Sequence, residues 1–391
     1  MSTRMPVFDL FAPDAFDHPG GEIDGAAVAI GPEGYAVLSF EAATAVLRDT
    51  RFRNSALQLM EDFGIADGPV HDFRARSIIM REGAAQLRLR TPLARFMGPA
   101  IVQDTRFVLR QIVAEIMQDV DASHAMDFHA AVDRRIPSLV YCHLAGAPST
   151  DAPRVQSLSE RTLSLLARDR TLIPSILDAY NELFDYLADL IARKRADGLG
   201  EDMLSYLIGL TDAGKLTEQE LFDEATSMLE ASSVNTAHQT GLVVWTLLSD
   251  RAVWQRLRED PSVIPAAVVE ATRLYPRTGV LSKIATEDID VQGTTIPAGS
   301  DVHVAVWSAN RDPERFNEPT IFDLDRERNQ PLTFSTGSHN CLGQGLAKVE
   351  MEEVVRHLVE NYPESRIVEE DTEIGQVAGR WLVKNLMIEL R

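Results

Sequence analysis

Apolar residues between Leu87 and Tyr275 recur at intervals of three and four, most regularly in FVLRQIVAEIM (107–117), LDAYNELFDYLADLIARK (177–194) and LVVWTLLSD (242–250). That spacing gathers them on one stripe of a helix and predicts a mostly helical chain. Polar breaks fall at GAPSTDAP (146–153), ADGLGED (196–202) and TDAGKLTEQEL (211–221). In the last of these, Thr217 and Glu220 have the spacing of a capping box, which predicts a helix start. After Pro276 the texture changes. IATEDIDVQGTTIPAGSDVHVAVWSAN (284–310) reads as short strands and turns, VKNLMIEL near the C-terminus alternates like a strand, and so does YAVLSF, Tyr35 to Phe40. Residues 1–30, rich in Asp, Pro and Gly, read as an irregular arm, and 311–331 lacks periodicity. From Ser55 to His71 a loop is predicted that carries Leu57, Leu59, Met60, Phe63 and Ile65. So apolar a loop either packs on the core or walls an apolar ligand site.

The 391 residues carry 38 basic and 59 acidic side chains, a formal net charge of −21. Such a surplus repels phosphate backbones and anionic lipid, so neither nucleic acid nor membrane is expected as a partner. No run approaches the ~18 apolar residues of a membrane span, and the first residues lack a signal-peptide layout, so a cytoplasmic location is expected. Length alone suggests two or three domains at roughly 100–200 residues each. Cys142 and Cys341 are the two cysteines, which excludes a disulfide framework. The nine histidines are scattered without zinc-site spacing, and His124 and His129 read as surface or cap residues.

Chemistry concentrates in FSTGSHNCLGQGLAKVEMEEVV, Phe334 to Val355. Cys341 stands where a helical pattern begins, and the helix dipole with free N–H groups is expected to lower its pKa and favour thiolate. Gly337 and Gly343 would let backbone approach a large flat ligand. The residues alone leave three roles for Cys341 open: metal ligand, nucleophile or buried structural thiol.

The same segment resembles the haem-binding signature of the cytochrome P450 family, F-x-x-G-x-x-x-C-x-G-x-x-x-A, through Phe334, Gly337, Cys341, Gly343 and Ala347. The resemblance implies haem b with Cys341 as axial thiolate, a ligand that favours O–O cleavage. EATR, Glu270 to Arg273, is similar to the family's E-x-x-R, and Arg326 in FDLDR stands where a third member of a structural ion-pair triad belongs. NRDPERF (310–316), IPSLVYCHLAGAP (136–148) and IPAGSDV (296–302) also resemble family segments. QLRLR, Gln86 to Arg90, resembles H-x-R-L-R, which implies Arg90 at a haem propionate with Gln86 replacing the usual His; Lys283 and His339 are further implied propionate partners.

On the long central helix the family pattern A-G-x-[D/E]-T-T contains an acid–alcohol pair that relays protons. This chain reads Ala231-Ser232-Ser233-Val234-Asn235-Thr236, with Val234 at the acid position and Asn235 at the alcohol position. Valine carries no proton, and an asparagine amide hydrogen-bonds without titrating near neutral pH. Three replacements are open: Asn235 with ordered water and Ser232, Ser233 or Thr236; a hydroxyl of the substrate; or peroxide as oxidant. Ser232, Asn235 and Thr236 are therefore the candidate catalytic residues, with Val234, Val280 and Leu281 as candidate substrate-pocket residues.

The resemblance implies a mainly α protein with a smaller β part, one P450 domain over 1–391 comprising the arm 1–30 and a haem-binding portion 31–391. It also implies hydroxylation or oxidative O-dealkylation of a small or medium apolar organic substrate. Two cysteines cannot hold a four-ligand cluster and no nucleotide-binding glycine fingerprint follows a strand, so electrons would come from a ferredoxin or similar carrier with its reductase. A peroxide-driven peroxygenase or other small-oxidant reductase, and a non-catalytic haem sensor or carrier, are the competing expectations.

Overall fold

A computed structural model describes residues 5–12, 15–17, 25–327 and 330–391. The helical periods become helices: Pro99–Gln118, Ile136–Ala145, Ala152–Leu163, Ile173–Asp197, Glu218–Ser232, Val234–Ser249, Ile264–Leu274 and Gln344–Asn361 among them. Their apolar stripes meet in one large cluster. Leu109 and Ile116, Val140, Leu242 and Leu247, Val268, and Val355 and Leu358 come together from five helices. Arg106 and Arg110 add ion pairs to Glu352 and Glu353 across the Pro99–Gln118 and Gln344–Asn361 helices, at 2.7 Å for Arg106–Glu352 and for Arg110–Glu353. A second cluster gathers Val155, Leu158, Leu183, Leu187, Leu207 and Leu229.

The smaller β part is led by a five-stranded sheet in the order Val28–Gly31, Gly34–Val37, Asp301–Ala305, Val280–Ala285, Phe52–Asn54. Only Gly34–Val37 and Asp301–Ala305 run parallel within it. Buried or half-buried positions throughout Val280–Ala285 and near-complete burial in Asp301–Ala305 fit a strand pair packed on a core. A hairpin, Glu373–Val377 with Arg380–Asn385, turns at Ala378 and Gly379, both at positive φ (47° and 73°).

Several expectations need correction. The predicted loop 55–71 is largely helical, Ala56–Asp62 and Gly68–Arg76. The Asn54 carboxamide oxygen accepts from Ala56 N at 2.8 Å and starts the first of these, while Met60, Ile65 and Val70 pack with Phe73 and Tyr180. The arm expected over 1–30 falls partly outside the described residues. Where described it joins the sheet: Val7 bridges Ile30, Phe8 N donates to Ile30 O at 2.9 Å, and a strand begins at Val28. Within 284–310 the strands stop at Ala305, because Val306–Ala309 turns into a short helix.

Glu270 and Arg273 are both 0% exposed. Arg273 Nε and Nη2 donate to the two Glu270 carboxylate oxygens at 2.8 and 2.7 Å, and Arg326 Nε adds a third bond at 3.0 Å. Burial alone would push the Glu270 carboxyl up; the bonds and charge of Arg273, with Arg326 and the Asp323 N–H, hold it below its ordinary value. Replacing Glu270 by Ala strands two buried guanidinium groups and is expected to cost about 3–5 kcal/mol. Denaturant unfolding of the variant checks this, and an unchanged midpoint would contradict it.

Candidate functional site

The central helix is broken at Ser233, which separates Glu218–Ser232 from Val234–Ser249. Hydroxyls explain the break: Ser232 Oγ donates to Leu229 O at 2.8 Å and Ser159 Oγ to Glu230 O at 3.0 Å, replacing partners those carbonyls would find in a continuous helix. The next turn is pinned from the side. Gln239 Nε2 donates to Tyr275 O at 2.9 Å, and its Oε1 accepts from Arg277 N at 2.8 Å, tying the helix to the segment behind the E-x-x-R pair.

Beneath the break lies a cavity of about 370 Å³. Its roof is Ala231, Ser232, Asn235 and Thr236; its sides include Val140, Leu144, Met228 and Leu281; its floor is the Phe334–Ala347 segment with Cys341. The floor loop closes through Cys341 N donating to Phe334 O at 2.8 Å, with Ser335 at φ 60° between them. Cys341 is accessible, but the surface it presents faces this cavity. Desolvation therefore raises its thiol pKa, opposed by the Gly343 N–H and the charge of Arg90. That net direction is opposite to the sequence expectation, because burial outweighs the donors at the helix start.

The glycines divide. A Cβ on Gly343 would meet no atom within 4 Å, so this side of the floor stands open to a flat ligand. A Cβ on Gly337 would strike Leu47 O at 2.7 Å, and its φ is 77°; this glycine serves contact with the Phe40–Arg48 helix and not the cavity. Phe334, His339 and Ala347 line the cavity, whereas Gln86, Arg90 and Lys283 are not among its lining residues. Gln86, expected at a propionate, donates instead to Ser338 O at 2.6 Å, its reach taken up by the loop backbone. Arg90 donates to the backbone and side-chain oxygens of Asn340, both neutral. Lys283 is 5% exposed, and its side chain has no hydrogen-bond or ion-pair partner among the described residues. His339 Nε2 lies 3.1 Å from Glu82 Oε1 but is aligned too poorly to bond it. Burial pulls Arg90, Lys283 and His339 below their ordinary pKa values, with Glu82 opposing at Lys283 and His339 and Cys341 opposing at Arg90.

A thiol in an apolar cavity, open space over Gly343 and two desolvated cations, Arg90 and Lys283, that bond no carboxylate among the described residues fit a flat, apolar macrocycle with anionic edges: haem fits the residues present. The pocket expectations fit less well. Leu281 lines this cavity, but Val234 faces a neighbouring cavity and Val280 a third. Met228 and the roof residues Ala231, Ser232, Asn235 and Thr236 follow one helical stripe, and Val234 lies off it. The 55–71 segment likewise contributes Leu59 and Phe63 to the third cavity, whose contact with the first is Leu281.

One cluster escaped the sequence reading. His129, expected at the surface, is buried in a π-helical turn, His129–Asp133, and stacks on His238 with ring centroids 4.6 Å apart. Asp133 is 0% exposed and neither carboxylate oxygen has a hydrogen-bond partner among the described residues. Glu350, on the cavity floor, is also buried, and burial and then Asp133 push its carboxyl up. The i, i+4 spacing of His129 and Asp133 was the available signal.

The family model for cytochrome P450 matches residues 149–374. Nocardicin C N-oxygenase of Nocardia uniformis subsp. tsuyamanensis is 31% identical over 340 residues, 86% of this chain and 84% of that protein. Mycinamicin IV hydroxylase/epoxidase of Micromonospora griseorubida is 30% identical over 363 residues, 90% and 88% of the two chains. The crystal structure of CalO2 superposes with a TM-score of 0.91 over 99% of both chains at 23% identity, a likeness of fold. The chain belongs to the cytochrome P450 family. It has the P450 fold, its cofactor is haem b, and it is an oxidoreductase, a P450 monooxygenase of the bacterial type that takes an organic substrate and electrons from a redox partner. Among the described residues no helix is long and apolar enough to cross a membrane.

The buried acid gives a pH test. Burial raises Asp133 from 3.8 to about 6, with His129 opposing. An unfolded chain releases this proton before the folded one does, so stability falls as pH rises between those values; above the folded pKa the loss is complete, about 3 kcal/mol. Asp133→Asn is expected to stabilise the protein by that order near pH 8 and to change little near pH 4. Equal effects at both, read from denaturant midpoints, would contradict it.

Proposed function

We propose that Cys341 would hold the haem iron as a thiolate ligand and that the enzyme hydroxylates or oxidatively dealkylates an organic substrate whose apolar portion fills the cavity above it. The observation that carries this is one cavity with a cysteine floor, an open glycine beside it and a broken helix for a roof. Arg90, Lys283 and His339 would hold the propionates, Arg90 while it also fastens the loop through Asn340. Electrons would come from a separate ferredoxin-type carrier, and the whole chain would act as a single domain around the cofactor.

Bound haem supplies the activation of dioxygen. The protein's own task is to deliver protons to the distal side, exclude bulk water and orient the substrate. Asn235 Oδ1 is buried without a partner among the described residues and Asn235 lines the roof. It suits a water held by the amide, with the Thr236 hydroxyl next to it, so the pair orients a proton-carrying water without titrating. Ser232 is a poorer relay member, since its hydroxyl already donates to Leu229 O; we read it as part of the helix break. The apolar side chain of Val234, turned to another cavity, favours a second reading in which peroxide supplies oxygen and electrons together.

Asn235→Ala is expected to lower product formed per NADH consumed several-fold, with electrons diverted to hydrogen peroxide, while substrate affinity changes little. Unchanged coupling would remove Asn235 from the relay. Turnover with peroxide alone, equal to or above that with a reductase and ferredoxin, would favour the second reading.

A further inference from the structure

Beside the Cys341 cavity lies a smaller one of about 240 Å³, and both are lined by Asn235 and Arg277. Arg277 is 7% exposed. Its Nη1 donates to Trp381 O at 2.8 Å, but its Nε is buried with no acceptor among the described residues. Arg380 lines the smaller cavity too, and the hydrogen bond seen for its guanidinium goes to Ala378 O at 2.8 Å. Neither arginine pairs with a carboxylate among the described residues.

The surrounding groups do not supply the missing charge. Glu160 lines the smaller cavity but is held by Arg134 at 2.6 Å and by Gln156 at 3.0 Å. His238 faces the cavity as a neutral ring, kept so by burial and then by the Arg277 charge. Arg168, which acts on Arg380, is ion-paired to Glu33. Burial, and then Arg380, draw the Arg277 guanidinium down to about 9. Desolvating a cation without an anion is costly, and here two such cations sit together in a protein with 21 excess negative charges. A guanidinium fork matches a carboxylate in two parallel hydrogen bonds.

We propose that Arg277, seconded by Arg380, receives the carboxylate of the substrate, so that this monooxygenase acts on an organic acid with its anionic end in the smaller cavity and its apolar body over Cys341. This rests on the monooxygenase reading and adds the substrate class. Arg277 also sits beside Asn235, so the acid group would lie next to the proposed water site.

The test is titration of the haem-loaded enzyme with a panel of alkyl and aryl carboxylic acids and the primary amide of each, followed by the haem absorption shift. At least one acid is expected to bind about ten-fold or more tightly than its amide, the scale of a charge-assisted hydrogen-bond pair. The preference should collapse in Arg277→Met, survive in part in Arg277→Lys, and weaken in Arg380→Met. A wild-type panel without any acid-over-amide preference overturns the proposal, and so does a preference that persists in Arg277→Met. The wild-type comparison keeps its force if a variant fails to take up haem. If the acids show no preference while a neutral compound is oxygenated with a redox partner, this assignment alone fails. If nothing is oxygenated, the monooxygenase reading fails whatever the acids do.

Discussion

The site depends on one buried ion pair. Glu270 and Arg273 lie side by side in the core, and their bonds spread outward toward the cysteine. Arg273 donates to Asn310 O, the Asn310 carboxamide bonds Thr333 Oγ1 and Leu332 N, and Thr333 Oγ1 donates to Thr272 O. The next residue in the chain, Phe334, offers the carbonyl that accepts from Cys341 N. An ion pair desolvated this far holds only while every lone pair and N–H finds a partner. The same requirement makes it a rigid anchor for a floor loop that has no regular ladder of its own.

The central helix supplies the opposite constraint. A continuous helix would place a closed cylinder over the cavity; the break at Ser233, stabilised by serine hydroxyls on freed carbonyls, gives room and exposes Asn235 to two cavities at once. Gln239 fixes the far side of the break to the Arg277 backbone. The residue that meets the cofactor space and the residue that meets the smaller cavity's charge are thereby held in register.

Much of this was legible in the sequence. Helical periods, the capping box at Thr217 and Glu220, and the spacing of Phe334, Cys341 and Ala347 depend on local order, and the fold obeys them. The errors came from effects that periodicity does not encode. Leu57 to Ile65 looked like an apolar loop because a seven-residue helix is too short to show its stripe. Gly337 and Gly343 look alike in sequence, yet one answers to Leu47 and the other to open space. Val234 falls to one side of the stripe that Ala231, Ser232, Asn235 and Thr236 present to the cavity. His129, Asp133 and Arg277 became notable only through burial, which leaves His129 Nδ1, both Asp133 carboxylate oxygens and Arg277 Nε without a hydrogen-bond partner among the described residues.

Everything proposed for the cavity requires that Cys341 ligate the haem as thiolate. The absorption spectrum of the reduced carbon monoxide complex, wild type against Cys341→Ala, measures this directly. Thiolate ligation by Cys341 predicts a red-shifted Soret band of the thiolate type in the wild type and its loss in the variant. Retention of that band without Cys341 would contradict it.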